Sequence, residues 1–142
     1  MNPLPSILLV DDNATTNYLH KLLLTRLRVT ELVLVAQNGQ QALDLLQRQC
    51  ATAPPQCPVL VLLDLKMPVM NGFEFLEAYQ LLPLPQRQGI VIIMLTTSLH
   101  EQDLARLQHL PIAGVLTKPL TELNLRNLLH LHFHWPQPAP PA

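Results

Sequence analysis

The chain is poor in charged and aromatic residues. Charged residues make up 13% of its 142 positions and leave a formal net charge of −1, so neither a basic nucleic-acid surface nor a polybasic membrane anchor is expected. Aromatic residues make up only 4%, too few to stack single-stranded nucleic acid. The apolar runs are far shorter than the roughly 20 residues that span a bilayer, and the start lacks the basic region of a signal peptide. We therefore expect one cytoplasmic domain that binds neither nucleic acid nor membrane.

Cysteine is also scarce. The two cysteines, Cys50 and Cys57, flank a loop-like stretch that contains Pro54 and Pro55. Disulfide frameworks are typical of small, cysteine-rich secreted chains, and this chain is neither small nor cysteine-rich. We therefore expect two free, buried thiols with no redox role.

Short apolar runs alternate with longer segments of helical period along the chain. This alternation is typical of repeated β-α units around a parallel sheet, so the fold class is α/β. Five strands are predicted, at about Ile7–Val10, Leu32–Ala36, Val59–Leu63, Ile90–Leu95 and Gly114–Leu116. The third strand is apolar at every position, which places it in the middle of the sheet with both faces covered.

Apolar spacing and capping residues predict a helix after each strand. The first helix should run from about Ala14 to Leu27, with Asp12 or Asn13 as its N-cap. Its predicted core-facing residues are Tyr18, Leu19, Leu22, Leu23 and Leu27. The second helix should follow Asn38-Gly39, with Ala42, Leu43, Leu46 and Cys50 along its length.

The remaining helices are predicted in the same way. The third should follow Asn71-Gly72 and end before Pro83, because proline cannot continue a helix. Residues 98–101, Ser-Leu-His-Glu, fit a capping box that opens the fourth helix. The fifth should run from Thr121 to about Leu131. The domain is therefore expected to occupy residues 1–132, and the Pro-rich residues 133–142 to form a disordered tail.

Polar side chains stand at the carboxyl ends of four predicted strands. Asp11 and Asp12 follow the first strand, Asp64 the third, Thr96 the fourth and Lys118 the fifth. Ligands of open α/β sheets bind at this edge. Helix caps or solvated loop charges could account for each residue alone. They do not require three carboxylates and one ammonium at the ends of separate strands, so the set predicts a functional site.

In order and spacing, these residues resemble the receiver domains of response regulators in two-component signalling. The resemblance covers the chain from about Ser6 to Leu131. Its motifs are Asp11-Asp12, Asp64, Met67-Pro68, Asn71-Gly72-Phe73, Thr96 and Lys118-Pro119. It implies a flavodoxin-like, doubly wound sheet of five parallel strands in the order 2-1-3-4-5.

The resemblance also implies a function. The chain would be a stand-alone response regulator rather than an enzyme. It would accept a phosphoryl group from a sensor histidine kinase or a histidine phosphotransfer protein, and would then change its affinity for a partner protein. We expect a monomer or a weak homodimer, and the kinase and the downstream target are not specified by the sequence.

A metal site is part of this resemblance. Asp64 would be the phosphoacceptor, and the carboxylates of Asp11 and Asp12, with Asp64 and the backbone carbonyl of Lys66, would hold Mg²⁺ or Mn²⁺. Phosphoryl transfer to a carboxylate requires neutralisation of charge, and a metal commonly supplies it. Three carboxylates and Lys118 leave two negative charges, which one divalent cation matches, and oxygen ligands favour Mg²⁺.

Other roles follow from the family pattern. Lys118 would pair with the phosphoryl group, the Thr96 hydroxyl would hydrogen-bond one of its oxygens, and the Lys118–Pro119 bond would be cis.

Four positions beside the site are expected to tune the switch or the lifetime of the phosphorylated state. Val115 stands where many receivers carry an aromatic residue whose rotamer reports phosphorylation. Thr97 stands where alanine is common. Lys66 and Ser98 occupy positions that border the attacking water in receivers, although a Lys66 side chain that points to solvent is an equally open reading.

Two other functions are weighed. A pseudo-receiver that only binds partners would not need clustered acids. A phosphatase of the haloacid dehalogenase type carries a second aspartate two residues after the first, where this chain has Lys66.

His130, His132 and His134 could share a face only in an extended segment, so a helix would leave no zinc site there.

Overall fold

Five strands and five helices alternate along the part of the chain that the computed structural model describes, residues 3–52, 56–83, 87, 89–97 and 100–136. They are β1 (Ile7–Val10), α1 (Ala14–Arg26), β2 (Val33–Ala36), α2 (Gly39–Cys50), β3 (Leu60–Asp64), α3 (Gly72–Tyr79), β4 (Val91–Thr96), α4 (Glu101–Leu107), β5 (Gly114–Thr117) and α5 (Glu122–Phe133). None of the helices in these ranges has the length and apolarity that crossing a bilayer requires.

The strands form one parallel sheet in the order β2-β1-β3-β4-β5, so the expected flavodoxin-like fold and strand order are confirmed. β3 lies in the centre and is buried along its whole length, as its unbroken apolar run predicts. The register pairs Val10 of β1 with Leu63 of β3, and Asp64 of β3 with Leu95 of β4. The carboxyl ends of the strands therefore lie at one edge of the sheet.

Alternating side chains of the strands build a separate core on each face of the sheet. Leu8 and Val10 of β1 belong to the core under α2 and α3, whereas Ile7 and Leu9 belong to the core under α1 and α5. Helices therefore cover both faces, which buries the central strands completely.

The β3–α3 connection is tightly packed beside the end of β3. Asn71 and Glu74 form a capping box, in which the Asn71 side chain accepts from the Glu74 backbone at 2.9 Å and the Glu74 carboxylate accepts from the Asn71 backbone at 3.1 Å. A Cβ atom at Gly72 would lie 2.8 Å from the backbone oxygen of Asp64. Glycine is required here because α3 begins in contact with the last residue of β3.

The predicted core-facing side of α1 is right only for Leu23 and Leu27, which are partly buried against the core. Tyr18, Leu19 and Leu22 are exposed, and the buried residues of the helix are Asn17, His20 and Leu24. Apolar spacing suggested the other face because Asn17 and His20 are polar. Both nevertheless form hydrogen bonds inside the protein, and hydrogen bonding lowers the cost of burying a polar group.

The expectation of free thiols is also wrong, because Cys50 and Cys57 form a disulfide. The backbone N–H of Gln56 donates to the carbonyl oxygen of Gln49 at 2.8 Å, which turns the chain back against the end of α2. This turn brings the two cysteine Cα atoms to 4.6 Å, a separation that a disulfide can span.

Two helix ends differ from the sequence prediction. α4 has His100 as its N-cap, and the Asp103 carboxylate accepts from the His100 backbone at 3.4 Å. The predicted capping box at residues 98–101 is therefore wrong, and Ser98 lies outside the described residues. α5 continues to Phe133, one residue past the expected domain end, and the predicted tail lies outside the described residues from 137 onward.

Val69 has a backbone conformation that β-branched residues rarely adopt. Its φ is +67°, and its side chain is 80% exposed, so little packing compensates for the strain. Val69→Asn should raise the free energy of unfolding by about 1 kcal/mol, because asparagine tolerates the left-handed region. Denaturant unfolding of the metal-free protein measures the change.

The control for this experiment is Val35→Asn, at an exposed valine of β2. Asparagine is disfavoured in strands, so this variant should lose stability. Destabilisation of both variants would show that Val69 is not strained.

Candidate functional site

The site lies at the carboxyl edge of the sheet, where four strands deliver polar side chains. Asp11 and Asp12 directly follow β1, and Asp64 is the last residue of β3. Thr96 ends β4, and Lys118 follows β5. Adjacent strands explain most of this convergence, because β1 pairs with β3 and β3 pairs with β4. Lys118 reaches the acids from the far side of β4.

The three aspartates form a compact cluster of oxygen ligands. One carboxylate oxygen from each of Asp11, Asp12 and Asp64 lies within 4.8 Å of the others. Asp11 and Asp64 are buried, whereas Asp12 is exposed. No other group of three or more histidine, cysteine or acidic side chains in the described ranges could hold a metal. Three carboxylates open to solvent on one side suit a hard cation such as Mg²⁺, which keeps several of its waters.

Lys118 lies between the two buried carboxylates. Its ammonium forms a hydrogen-bonded ion pair with Asp11 Oδ2 and lies 3.1 Å from Asp64 Oδ1. The Lys118 side chain is only 12% exposed. Its backbone N–H donates to the carbonyl oxygen of Thr96 at 2.9 Å, and the Lys118–Pro119 bond is cis, as expected. The cation is therefore held by its own loop as well as by the acids.

Burial and neighbouring charges shift the protonation of this group. Burial raises the pKa of Asp64, the negative charge of Asp11 raises it further, and the contact with Lys118 only partly offsets them. Burial alone would lower the pKa of Lys118. The hydrogen bond to Asp11 and the charge of Asp64 outweigh that effect and raise the pKa, so the ammonium form is favoured.

Asp11 is fixed from several directions. Its Oδ1 accepts from the Asn13 backbone at 2.9 Å, and its backbone oxygen accepts from Asn17 Nδ2 at 2.8 Å. Its backbone N–H donates to Ala36 of β2 at 3.1 Å. Asn17 was not among the predicted site residues, and neither was His20, whose Nε2 accepts from the backbone N–H of Leu120 at 3.3 Å. Asn17, His20 and Leu24 share one face of α1, and this spacing is the sequence signal that could have identified Asn17 and His20.

The predicted tuning positions lie around the site in different environments. Lys66 and Thr97 are exposed, and Ser98 lies outside the described residues. Thr96 is buried at the end of β4, opposite Thr117 of β5. Val115 is 36% exposed beside an apolar cavity of about 250 Å³. The lining of this cavity includes Ile93, Leu116, Leu128 and Leu131.

The three C-terminal histidines do not form a metal site. His130 and His132 lie in α5, and His134 is its C-cap. His130 Nδ1 lies 2.7 Å from the backbone oxygen of Trp135. His130 and His132 are two positions apart in α5 and therefore point to different sides of the helix.

Comparison with known proteins gives consistent matches over nearly the whole chain. The family model of the response regulator receiver domain matches residues 7–130. Response regulator Rcp1 of Synechocystis sp. is 30% identical over 130 residues, which are 92% of this chain and 85% of that protein.

Solved structures give the same fold. A response regulator receiver protein of Dyadobacter fermentans is 32% identical, with a TM-score of 0.76 over 90% of this chain and 97% of that one. A two component response regulator of Cytophaga hutchinsonii has a TM-score of 0.83 over 94% of this chain and 100% of that one. Its identity is 24%, so this likeness concerns the fold alone.

The raised pKa of Asp64 makes metal-free stability depend on pH. Between the ordinary value of 3.8 and the higher folded value, the folded state holds a proton that the unfolded state has released. Stability from this group is therefore present at low pH and lost as pH rises through that window. The side chain in Asp64→Asn stays neutral at every pH. In chelator, the free energy of unfolding of this variant, relative to that of wild type, should therefore increase from pH 4 towards neutrality. Denaturant unfolding at a series of pH values measures this difference.

Asp44→Asn, at an exposed position of α2, is the matched control for loss of a carboxylate. The difference in free energy of unfolding between Asp44→Asn and wild type should not increase over this pH range. If Asp64→Asn is as stable as wild type or less stable at neutral pH in chelator, the electrostatic description of the site is wrong.

Proposed function

Because this chain belongs to the response regulator receiver family, we propose that it accepts a phosphoryl group on Asp64 from a phosphohistidine of a sensor kinase or phosphotransfer protein. Members of the family are signalling domains that histidine kinases phosphorylate and that bind Mg²⁺ at an acidic pocket. The observation that carries the proposal is the position of the Lys118 ammonium, 3.1 Å from Asp64 Oδ1 beside Asp11.

Asp64 is the proposed nucleophile. A carboxylate oxygen of Asp64 forms a bond to phosphorus while the bond from phosphorus to the donor nitrogen breaks, and the nitrogen keeps the electron pair. The nucleophile must be ionised for this step, and Lys118 favours the ionised form. The buried position of Asp64 at the end of β3 limits the access of water.

Asp11, Asp12 and Asp64 would hold Mg²⁺ through their carboxylates, and Lys66 would add its backbone carbonyl. When bound, the metal neutralises negative charge on the oxygens around phosphorus. The oxygen-only donor set on this edge supports the assignment. A bound metal would also explain how three clustered acids and a phosphoryl group can occupy one site.

Lys118 and Thr96 would stabilise the phosphorylated form. The ammonium of Lys118 would pair with a phosphoryl oxygen, and the Thr96 hydroxyl would donate to another. The hydrogen bond from the Lys118 backbone to Thr96 ties the two residues together, so movement of one loop is coupled to the other. Since Val115 supplies no aromatic switch, the readout would depend on Thr96 and the loop that follows it.

The output is proposed to be a change in affinity for a partner protein, as in a stand-alone regulator. The surface of α4, β5 and α5 is where we expect this change. A cytoplasmic location accords with phosphorylation by a sensor kinase. The Cys50–Cys57 disulfide is a bond that is rare in reducing compartments such as the cytoplasm.

Two alternatives are less well supported. A binding module would not need a lysine buried between two carboxylates, because such a group must be desolvated at considerable cost. A phosphatase of the haloacid dehalogenase type would place an acid where this chain has the exposed Lys66.

Acetyl phosphate with Mg²⁺, followed by intact mass measurement, tests the proposal. Wild type should gain one phosphoryl group and Asp64→Ala none, because Asp64 is the acceptor. Asp44→Ala, which removes an exposed carboxylate, should be labelled like wild type. Rapid turnover without an adduct would indicate a phosphatase, and the absence of any reaction would indicate a binding module.

Mg²⁺ should stabilise the folded protein through the aspartate cluster. At a Mg²⁺ concentration about 100 times the dissociation constant, the free energy of unfolding should rise by roughly 2.7 kcal/mol. Asp12→Asn should weaken Mg²⁺ binding and reduce this gain, whereas Asp44→Asn should keep it. Thermal unfolding with increasing MgCl₂ measures the gain. An undiminished gain in Asp12→Asn would remove Asp12 from the metal site.

A further inference from the structure

Two buried polar side chains of α1 each bind the backbone of a different loop of the site. Asn17 Nδ2 donates to the backbone oxygen of Asp11 at 2.8 Å, in the loop after β1. His20 Nε2 accepts from the backbone N–H of Leu120 at 3.3 Å, in the loop after β5. Each side chain is 5% exposed. The two residues are three positions apart and therefore lie on the same face of the helix.

This geometry specifies the chemical form of His20. Nε2 can accept a hydrogen bond only when it carries no proton, so the ring is the neutral tautomer with its proton on Nδ1. Burial lowers the pKa of His20; the charge of Asp11 acts in the opposite direction, and that of Lys118 adds to the lowering. The neutral ring is thus the favoured state beside the site.

The bonded residue, Leu120, is close to the cation in sequence. Pro119 separates it from Lys118 and has no N–H of its own. The loop is therefore anchored at two points, by the Lys118 N–H on Thr96 of β4 and by the Leu120 N–H on His20 of α1. Leu120 is itself buried, so loss of the acceptor would leave its N–H without a partner.

We propose that His20 is a positioning residue for phosphoryl transfer, which holds the β5–α5 loop so that the Lys118 ammonium faces Asp64. Asn17 holds the Asp11 backbone in the same way, through its hydrogen bond to the Asp11 carbonyl oxygen. One face of α1 therefore positions both residues of the Lys118–Asp11 ion pair. The inference rests on the proposed phosphorylation of Asp64. It also accounts for a buried histidine at a place where leucine would satisfy the core.

The first test compares the rate of Asp64 phosphorylation by acetyl phosphate at saturating Mg²⁺. His20→Leu should be slower by about tenfold or more, because small displacements of a catalytic group are costly. His20→Gln should recover most of the rate, since its amide oxygen can take the place of Nε2. His20→Asn should stay slow, because its shorter side chain cannot reach Leu120. Equal rates in the glutamine and asparagine variants would overturn the proposal, even if His20→Leu failed to fold.

Leu24→Val is the matched control, because Leu24 lies one turn further along the same buried face and contacts neither loop through a hydrogen bond. It should lower stability without changing the phosphorylation rate of the folded protein. A loss of rate in Leu24→Val equal to that in His20→Leu would show that α1 acts only through general stability.

A double substitution tests whether His20 acts through Lys118. In a Lys118→Ala background, His20→Leu should cause little further loss of rate, because the group that it positions is absent. Fully additive losses would overturn the proposal. If wild type is labelled on Asp64 but His20→Leu reacts at the same rate, this inference alone fails. If wild type is not labelled at all, the proposed function fails and this inference fails with it.

Discussion

The position of Lys118 between Asp11 and Asp64 is the interaction on which the site depends. Two buried carboxylates at one sheet edge repel each other, and a single ammonium makes their proximity tolerable. The strand order creates this arrangement, since β1 and β3 are neighbours and β5 lies beyond β4. The long lysine side chain must therefore reach past the end of β4, where the smaller Thr96 stands. Burial and the negative charge of Asp11 still raise the pKa of Asp64, and a bound divalent cation would offset the remaining negative charge of the cluster.

Much of the fold and of the site could be predicted from local sequence. Parallel strands end at one edge, so polar residues after four apolar runs had to approach one another. The second and third helices begin at Gly39 and Gly72, within one residue of the predicted starts. The strand order came from the family resemblance rather than from the apolar pattern. The side of α1 that faces the core could not be predicted from hydrophobicity, because Asn17 Nδ2 and His20 Nε2 form hydrogen bonds with backbone atoms of loops outside the helix. The cysteine pairing likewise depended on a turn that spacing alone does not reveal.

The parts of the chain around the site are held by different contacts. α1 binds the loops after β1 and β5 through the buried side chains of Asn17 and His20. Val69, in the β3–α3 loop, has a strained backbone conformation, and Val115 of β5 borders an apolar cavity that α5 also lines. On its outer face, α1 exposes the apolar residues Tyr18, Leu19 and Leu22.

The most direct measurement is a crystal structure with Mg²⁺ and beryllofluoride, a stable mimic of the phosphoryl group. The mimic should lie on an Asp64 oxygen, the metal on the aspartate cluster, and the Lys118 ammonium within hydrogen-bond distance of a fluorine atom. The His20 to Leu120 hydrogen bond should also persist. A mimic bound elsewhere, or a Lys118 that still pairs with Asp11 and makes no contact with the mimic, would contradict the proposed mechanism.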